Sequence, residues 1–497
     1  MLALSFPKFG HPALGWIALA PLIVAIGGAN PRTSERPNPR TAMMLGLLTG
    51  IVYFSGTLYW LVGTMRTFGG LPVAAAVLAC GLLVVFLSLY AGLFGWLLAR
   101  AFRRFGARAV WAAPFIWTGS EYLRSWIGGG FPWVLLGYSQ ATVTPIAQVA
   151  SIGGVYFLTF VVALVSAAAA WPALTRRPSR WLVSSAVIAG VIALGVWGTL
   201  RMREGSLTRD GAAVRVGLVQ GNIAQQDKWN PELALPILHR YLDMSRQALA
   251  AGADVVIWPE SSTPFFLEEN PALAMEIRRL AQQAQRPFVI GSDQVERAEQ
   301  NRFYNSAFLV GPDGQTRAVY RKMHLVPFGE YVPLRQLLPF VGTLVEAVAD
   351  FSPGLEPVLL PIDGHPLSVA ICYEVVYPWL IRGFVLGGSE LLVTITNDAW
   401  YGTTSAAYQH WEQASLRAVE QGRYLVRAAN TGVTGIVDPY GRVIARTRLF
   451  ETEVVTGDVR WNTGRTLYAT IGDLIAWIAL VVMAAIAFAG VRVRRML

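Results

Sequence analysis

The chain has 497 residues, room for two or three domains with a sizeable core. It is 54% hydrophobic and only 14% charged, with a mean hydropathy of +0.43, which excludes an ordinary soluble globular protein. The net charge of +10 sits mostly in short Arg clusters between apolar runs, and no RNP-like or Cys/His zinc pattern accompanies it, which argues against nucleic-acid binding.

Crossing a bilayer takes about twenty apolar residues. In chain order, such runs predict seven spans, at 10–29, 41–65, 70–99, 109–127, 142–172, 181–200 and 468–491. Glu121 and Arg124 fall near the end of the fourth, where they would snorkel or line a polar cavity. The connections alternate in charge. Arg32, Arg36 and Arg40 follow the first span, and Arg100, Arg103, Arg104 and Arg108 the third. Arg176, Arg177 and Arg180 follow the fifth, and Arg492, Arg494 and Arg495 the last. Positive residues stay cytoplasmic, so these four segments belong inside and 201–467 belongs on the far side. The expected organisation is a helical bundle over 1–200, an extra-membrane domain over 201–467, and a final span with a cytoplasmic tail over 468–497.

Within 201–467, short apolar runs predict buried strands at 214–219, 253–258, 287–291, 305–310, 367–372, 390–396 and 433–437. Helices are expected at 233–251, 271–284 and 406–422, and hairpin loops at Gly311–Gly314 and Asp438–Gly441. Such alternation favours a layered α/β sandwich.

Three of these segments carry chemistry. Glu260 follows the second strand in Trp258–Pro259–Glu260–Ser261, Lys322 and Glu330 lie in the Pro/Gly-rich stretch Tyr320–Pro333, and Cys372 ends a strand in Ile371–Glu374. Strand ends are where an open α/β sheet collects its catalytic groups. A thiol is mostly protonated at neutral pH and needs a base, the role expected of Glu260. Attack on an ester or amide carbonyl builds an oxyanion, which a fixed cation and a backbone N–H stabilise; Lys322 and the Tyr373 N–H fit these parts. Only Lys8, Lys228 and Lys322 are lysines among 41 basic residues, which makes each worth a question. Cys80 and Cys372 are the two cysteines, one in an apolar run and one in the polar domain, so no disulfide framework is expected. His324 and His410 have no third group beside them in sequence and read as structural hydrogen-bonders. No metal and no cofactor are called for.

Taken together, WPES, YRKMHLVPFGEYVP and AICYE resemble the nitrilase (carbon–nitrogen hydrolase) superfamily, and more closely its apolipoprotein N-acyltransferase branch. Val219–Ile223 (VQGNI), Gln226–Trp229 (QDKW) and Thr396–Gly402 (TNDAWYG) fit that branch, as do Ser120–Trp126, Phe131–Trp133 and Gly137–Gln140 in the apolar part. The resemblance implies an αββα sandwich beside the membrane bundle, in the bacterial inner membrane with its catalytic domain periplasmic, and nothing in the sequence demands more than a monomer. It implies acyl transfer from a phosphatidylethanolamine-like phospholipid to the N-terminal diacylglyceryl-cysteine of apolipoproteins, by ping-pong kinetics. Cys372 would form the thioester, Glu260 act as base and Lys322 steady the oxyanion, with Glu330, Tyr373, Glu374 and Trp229 in support. Two rival readings share the residues: a membrane-tethered hydrolase of small amides or nitriles, and a scaffold with a dead site. Phe265–Phe266 and the apolar run Leu337–Val345 would dip into lipid or form a lid, or else pack in the core. Loop-charge parity, together with Leu4–Pro7, leads to the expectation that one more apolar helix is encoded upstream of Met1.

Overall fold

The computed structural model describes residues 1–28, 38–327, 329–331 and 351–489. The chain forms two compact units: Met1–Gly63 with Pro72–Glu204 and Thr466–Leu497, and Thr64–Leu71 with Gly205–Arg465.

The first unit is helical. Among the described residues, four stretches are long and apolar enough to cross a membrane: Pro39–Leu58, Val73–Arg124, Ala150–Leu174 and Arg180–Arg209. This differs from the seven expected spans. The expected third ends at Phe105, where the chain turns at Gly106 with φ +58°, and the 3₁₀ segment Gly106–Ala112 joins it to a separate, shorter helix, Ala113–Arg124, in the place of the fourth. The first and last form shorter apolar helices, Pro12–Gly27 and Leu474–Phe488. The second stops at Leu58, and a separate helix Trp60–Thr67 follows it.

Glu121 and Arg124 are both buried, so neither snorkels. Glu121 accepts hydrogen bonds from the Leu136 N–H (2.8 Å), Trp117 Nε1 (3.1 Å) and Thr159 Oγ1 (2.8 Å). Arg124 Nη1 donates to the carbonyls of Phe131 (3.1 Å) and Trp133 (2.8 Å). A non-helical stretch within an apolar unit has backbone groups that need partners. Here an ionisable pair supplies them, and with Tyr53 and Tyr90 it also lines a small cavity.

The second unit holds two six-stranded sheets. The first contains β1 (Ala213–Gln220), β2 (Val255–Ile257), β3 (Phe288–Glu296), β4 (Arg302–Val310), β5 (Thr316–Arg321) and β12 (Glu453–Arg460), in the order β12-β1-β2-β3-β4-β5. The second contains β6 (Leu360–Ile362), β7 (His365–Ile371), β8 (Leu391–Thr396), β9 (Leu425–Ala429), β10 (Gly435–Val437) and β11 (Val443–Arg446), in the order β11-β10-β9-β8-β7-β6. β1 lies against β9 and β4 against β7, so the sheets stack. Helices Ala234–Ala250 and Pro271–Ala284 pack on the first sheet around Trp258, Tyr241, Ile277 and Phe308. Helices Pro378–Leu386 and Ser405–Gln421 serve the second. Each sheet has three adjacent parallel strands, β1-β2-β3 and β7-β8-β9. Strands buried on both faces read as continuous apolar runs, which is why the sequence shows them.

Every expected strand is present within a few residues, and both hairpin loops join strands: β4 to β5 and β10 to β11. β5 and β11 were implied only as the second arms of those hairpins, and β6, β9, β12 and the helix Pro378–Leu386 were not expected. One boundary matters for the site: β7 ends at Ile371, so Cys372 lies just past the strand rather than in it. Phe265 belongs to the apolar core, whereas the run Leu337–Val345 and the Arg clusters at 32–36 and 492–495 fall outside the described residues.

Candidate active site

The site forms where strand ends meet. Ile371 at the end of β7 pairs with Ile395, and Thr396 at the end of β8 pairs with Ala429 of β9, so the residues just beyond share one edge. In the first sheet, β2 ends at Ile257 and leads directly into Trp258–Pro259–Glu260. The Trp258 ring stacks on Tyr241 with centroids 4.9 Å apart, and its Nε1 donates to Ser245 Oγ at 2.8 Å, which fixes the approach to Glu260.

Glu260 is buried, with both carboxylate oxygens engaged. Oε1 accepts from Asn305 Nδ2 at 2.7 Å and Oε2 from the Asn397 N–H at 2.7 Å, a bond that ties the two sheets together. Lys322 follows β5 directly, its N–H bound to the Asn305 carbonyl at 2.8 Å. Its Nζ donates to Glu330 Oε1 at 2.8 Å and stands 3.5 Å from Glu260 Oε1. Burial alone would lower the Lys322 pKa, but the charges of Glu330 and Glu260 outweigh it, and the ammonium is held firmly charged. Glu330 completes the group: Oε1 also accepts from Asn305 Nδ2 at 3.1 Å, and Oε2 from the Val326 N–H at 2.8 Å.

Cys372 has φ +53°, a left-handed conformation that non-glycine residues rarely adopt. It makes the turn from β7 into the short 3₁₀ helix Cys372–Val376. Burial pushes its thiol well above the ordinary range, and the Glu260 charge adds to this while Lys322 opposes it. A buried thiol beside a carboxylate stays protonated at rest, so its proton has to leave as it attacks.

Glu374 is the fastening of the site. Its Oε2 accepts from the Ile371 N–H at 2.7 Å, on the nucleophile side. Its Oε1 accepts from the Met323 N–H (2.7 Å), the His324 N–H (3.0 Å) and the Tyr320 hydroxyl (2.8 Å), on the lysine side. One carboxylate therefore clamps the Cys372 turn to the segment after Lys322. Tyr373 packs edge-on to Tyr377 at 5.3 Å, and His324 lies 3.9 Å from the same Tyr377 ring, which places His324 among aromatics. Trp229 is half exposed and its ring lies 5.8 Å from Phe266, which in turn lies 6.1 Å from Phe303.

The structure thus brings Glu260, Lys322, Glu330, Cys372, Tyr373 and Glu374 into one buried cluster, with Trp229 on an aromatic row leading from Lys228. Three further residues carry weight there without having been singled out for a role. Lys228 is buried and donates from Nζ to the Glu260 carbonyl at 3.2 Å; burial lowers its pKa against the pull of Asp293, Glu260 and Cys372. The scarcity of lysine was its one signal. Asn305 bridges Glu260 and Glu330, flagged only by being polar at the head of an apolar run. Asn397 supplies the N–H that orients Glu260.

Two family profiles match the chain: the apolipoprotein N-acyltransferase N-terminal domain over residues 1–168, and carbon–nitrogen hydrolase over residues 215–468. An apolipoprotein N-acyltransferase of Geobacter metallireducens is 40% identical over 98% of this chain and 93% of its own. One from Vibrio vulnificus is 34% identical over 97% of this chain and 93% of its own. The chain belongs to the apolipoprotein N-acyltransferase family. Among solved structures, an amidase from Nesterenkonia sp. is similar at 22% identity and a TM-score of 0.38, over 52% of this chain and 94% of that one. A nitrilase-superfamily protein of Saccharomyces cerevisiae is similar at 19% identity and a TM-score of 0.39, over 50% of this chain and 90% of that one. Here a carbon–nitrogen hydrolase unit is joined to an apolar helical one, in a membrane protein.

Proposed function

We propose that this protein moves a fatty acyl chain from a membrane phospholipid, through a thioester on Cys372, to the α-amino group of the N-terminal diacylglyceryl-cysteine of apolipoproteins. The observation that carries the reading is the buried convergence of Glu260, Lys322 and Cys372, fastened by Glu330, Asn305 and Glu374. Family membership supplies the acceptor class, and the apolar helices suit a donor drawn from the bilayer.

In the first half-reaction the thiol gives its proton to Glu260 as sulfur attacks the ester carbonyl. The S–C bond forms, and the carbonyl oxygen takes the electron pair facing Lys322 Nζ and the Tyr373 N–H. Collapse breaks the C–O bond, and the lysophospholipid leaves with the proton from Glu260. In the second half-reaction the acceptor amine attacks the thioester, Glu260 takes a proton from nitrogen, and sulfur leaves and is reprotonated. Acyl-enzyme formation needs no lipoprotein, which makes the kinetics ping-pong. We place the catalytic unit on the non-cytoplasmic side of the bacterial inner membrane, with the expected seven crossings and a monomeric enzyme.

Intact mass spectrometry of protein purified from membranes tests the reading. An acyl adduct mapped to Cys372, absent from Cys372→Ala and discharged by a diacylglyceryl-cysteine peptide, is the expected result. Discharge by water alone would favour a tethered hydrolase, and no adduct under any donor would favour a scaffold.

A further inference from the structure

We propose that His410 is a positioning residue for the second oxyanion donor, the Tyr373 N–H, and that it acts through the Cys372 carbonyl. The proposal rests on reading Cys372 as the nucleophile.

His410 lies on the helix Ser405–Gln421 with its side chain fully buried. Its Nε2 stands 3.2 Å from the carbonyl oxygen of Cys372. A carbonyl only accepts, so Nε2 carries the hydrogen and donates. The other face of the ring is fixed too. Nδ1 is 3.0 Å from Asp398 Oδ1 and 2.9 Å from Arg427 Nη2, and the same Nη2 donates to Asp398 Oδ2 at 2.7 Å. Asp398 further accepts from Thr396 Oγ1 at 2.9 Å. Burial, then the Arg427 charge, lowers the His410 pKa while Asp398 opposes them, and Nε2 carries its hydrogen whether Nδ1 is protonated or not.

A cysteine, a histidine and an aspartate in line suggest a nucleophile–base–orienter triad, but the geometry is of another kind. The imidazole addresses the backbone of the nucleophile and not its sulfur, and Glu260 is left as the base. The peptide unit between Cys372 and Tyr373 is planar, and in a trans peptide C=O and N–H point in opposite directions. Holding the Cys372 oxygen against His410 therefore aims the Tyr373 N–H away from the helix Ser405–Gln421. A carbonyl that accepts a hydrogen bond also makes the N–H of its own peptide a better donor. The turn needs such a hold, because Cys372 occupies a left-handed conformation. Glu374 grips it from the Ile371 side, and His410 from the carbonyl side. Asp398 directly follows Asn397, whose N–H orients Glu260, so one buried network reaches the loops of both nucleophile and base.

Two reactions of the same sulfur separate this role from others. Acylation by phosphatidylethanolamine with a radiolabelled acyl chain, in detergent micelles, builds an oxyanion. Alkylation by iodoacetamide forms an S–C bond as iodide leaves and puts no charge on a carbonyl oxygen. Both rates are measured on the full-length protein for wild type, His410→Gln and His410→Met. Gln and Met are close in volume, and only Gln can donate to the Cys372 carbonyl. The ratio of acylation to alkylation should fall about 10²-fold in His410→Met and less than about tenfold in His410→Gln, the size expected for one oxyanion donor. An unchanged ratio in His410→Met overturns the proposal, and so does an equal loss in both reactions, which would mark a base or a packing role. Should His410→Met not accumulate in membranes, His410→Gln decides: a ratio near wild type supports the role and a hundredfold fall overturns it. A wild type that forms no acyl-enzyme would instead sink the nucleophile reading itself.

Discussion

Lys322 is held by two carboxylates in a pocket that leaves its side chain 1% exposed. An arginine would keep the charge, but its planar fork is larger and cannot point one compact donor along the same line. If Lys322 meets a developing oxyanion, Lys322→Arg should slow acyl-enzyme formation by about 10²–10³-fold while the protein still accumulates in membranes. Single-turnover acylation with labelled phospholipid measures this, and a rate near wild type would reduce Lys322 to a mere counter-charge. At this scale the residues that sit at strand ends were legible, because an apolar run followed by Glu260 or Cys372 shows itself in the sequence. Lys228 and Asn305 were not, because their roles exist only across space. Lys228 reaches the carbonyl of a residue 32 positions away, and the Asn305 amide joins carboxylates 45 and 25 positions away.

Glu374 joins two elements, the turn after β7 and the segment after β5, and it accepts from all four of these partners. An ionised carboxylate, which accepts at both oxygens and donates from neither, suits that arrangement best. Burial raises the Glu374 pKa to about 7 even though these hydrogen bonds and Lys322 oppose it. Acylation should therefore rise with pH through about 7, and Glu374→Gln should lack that limb and stay below wild type at higher pH. The stability effect has the opposite sign. A folded-state pKa above the ordinary 4.5 means that the folded protein keeps this proton longer than the unfolded chain. The contribution of Glu374 to stability then declines as pH climbs from there to about 7 and is flat beyond. Thermal melts across that window, wild type against Glu374→Gln, should show a steeper decline in wild type; identical slopes would contradict the assignment.

The same scale explains which elements the sequence revealed. Continuous apolar strands such as β8 were plain, whereas β9 was hidden because Arg427 interrupts Leu425–Ala429. Its charge is balanced by Asp398, 29 positions earlier, a pairing no window along the chain contains. The strands β5, β11 and β12 are only partly buried, and their mixed composition leaves no apolar run to mark them; the hairpin turns alone pointed to β5 and β11.

For the whole molecule, the alternation of Arg-rich connections predicts sidedness, and labelling can test it. Cys80 and Cys372 are buried, so a single introduced cysteine reports alone. In spheroplasts a membrane-impermeant maleimide should label Gly464→Cys directly, and Arg177→Cys only after permeabilisation. The reverse pattern would invert the proposed topology. Hydropathy marked the apolar segments well, but it could not foresee that the third and fourth would be joined by a 3₁₀ segment, Gly106–Ala112, and that the fourth would be as short as Ala113–Arg124.

One boundary bears on any attempt to dissect this protein. Thr64–Leu71 precedes the carbon–nitrogen hydrolase unit by well over a hundred positions, yet it is part of that unit's compact body. The Phe68 ring stands edge-on to Trp400 at 4.8 Å, and Thr64 Oγ1 donates to the Trp400 carbonyl at 2.8 Å. Trp400 sits three residues after Asn397, whose N–H orients Glu260. A soluble fragment cut at Gly205 and Arg465 would thus be missing a piece of its own fold. Water would replace an aromatic ring on Trp400, next to the backbone that holds the base. Excision at the obvious linkers would yield an incomplete unit, so the helical and the carbon–nitrogen hydrolase parts cannot be separated by two cuts without loss.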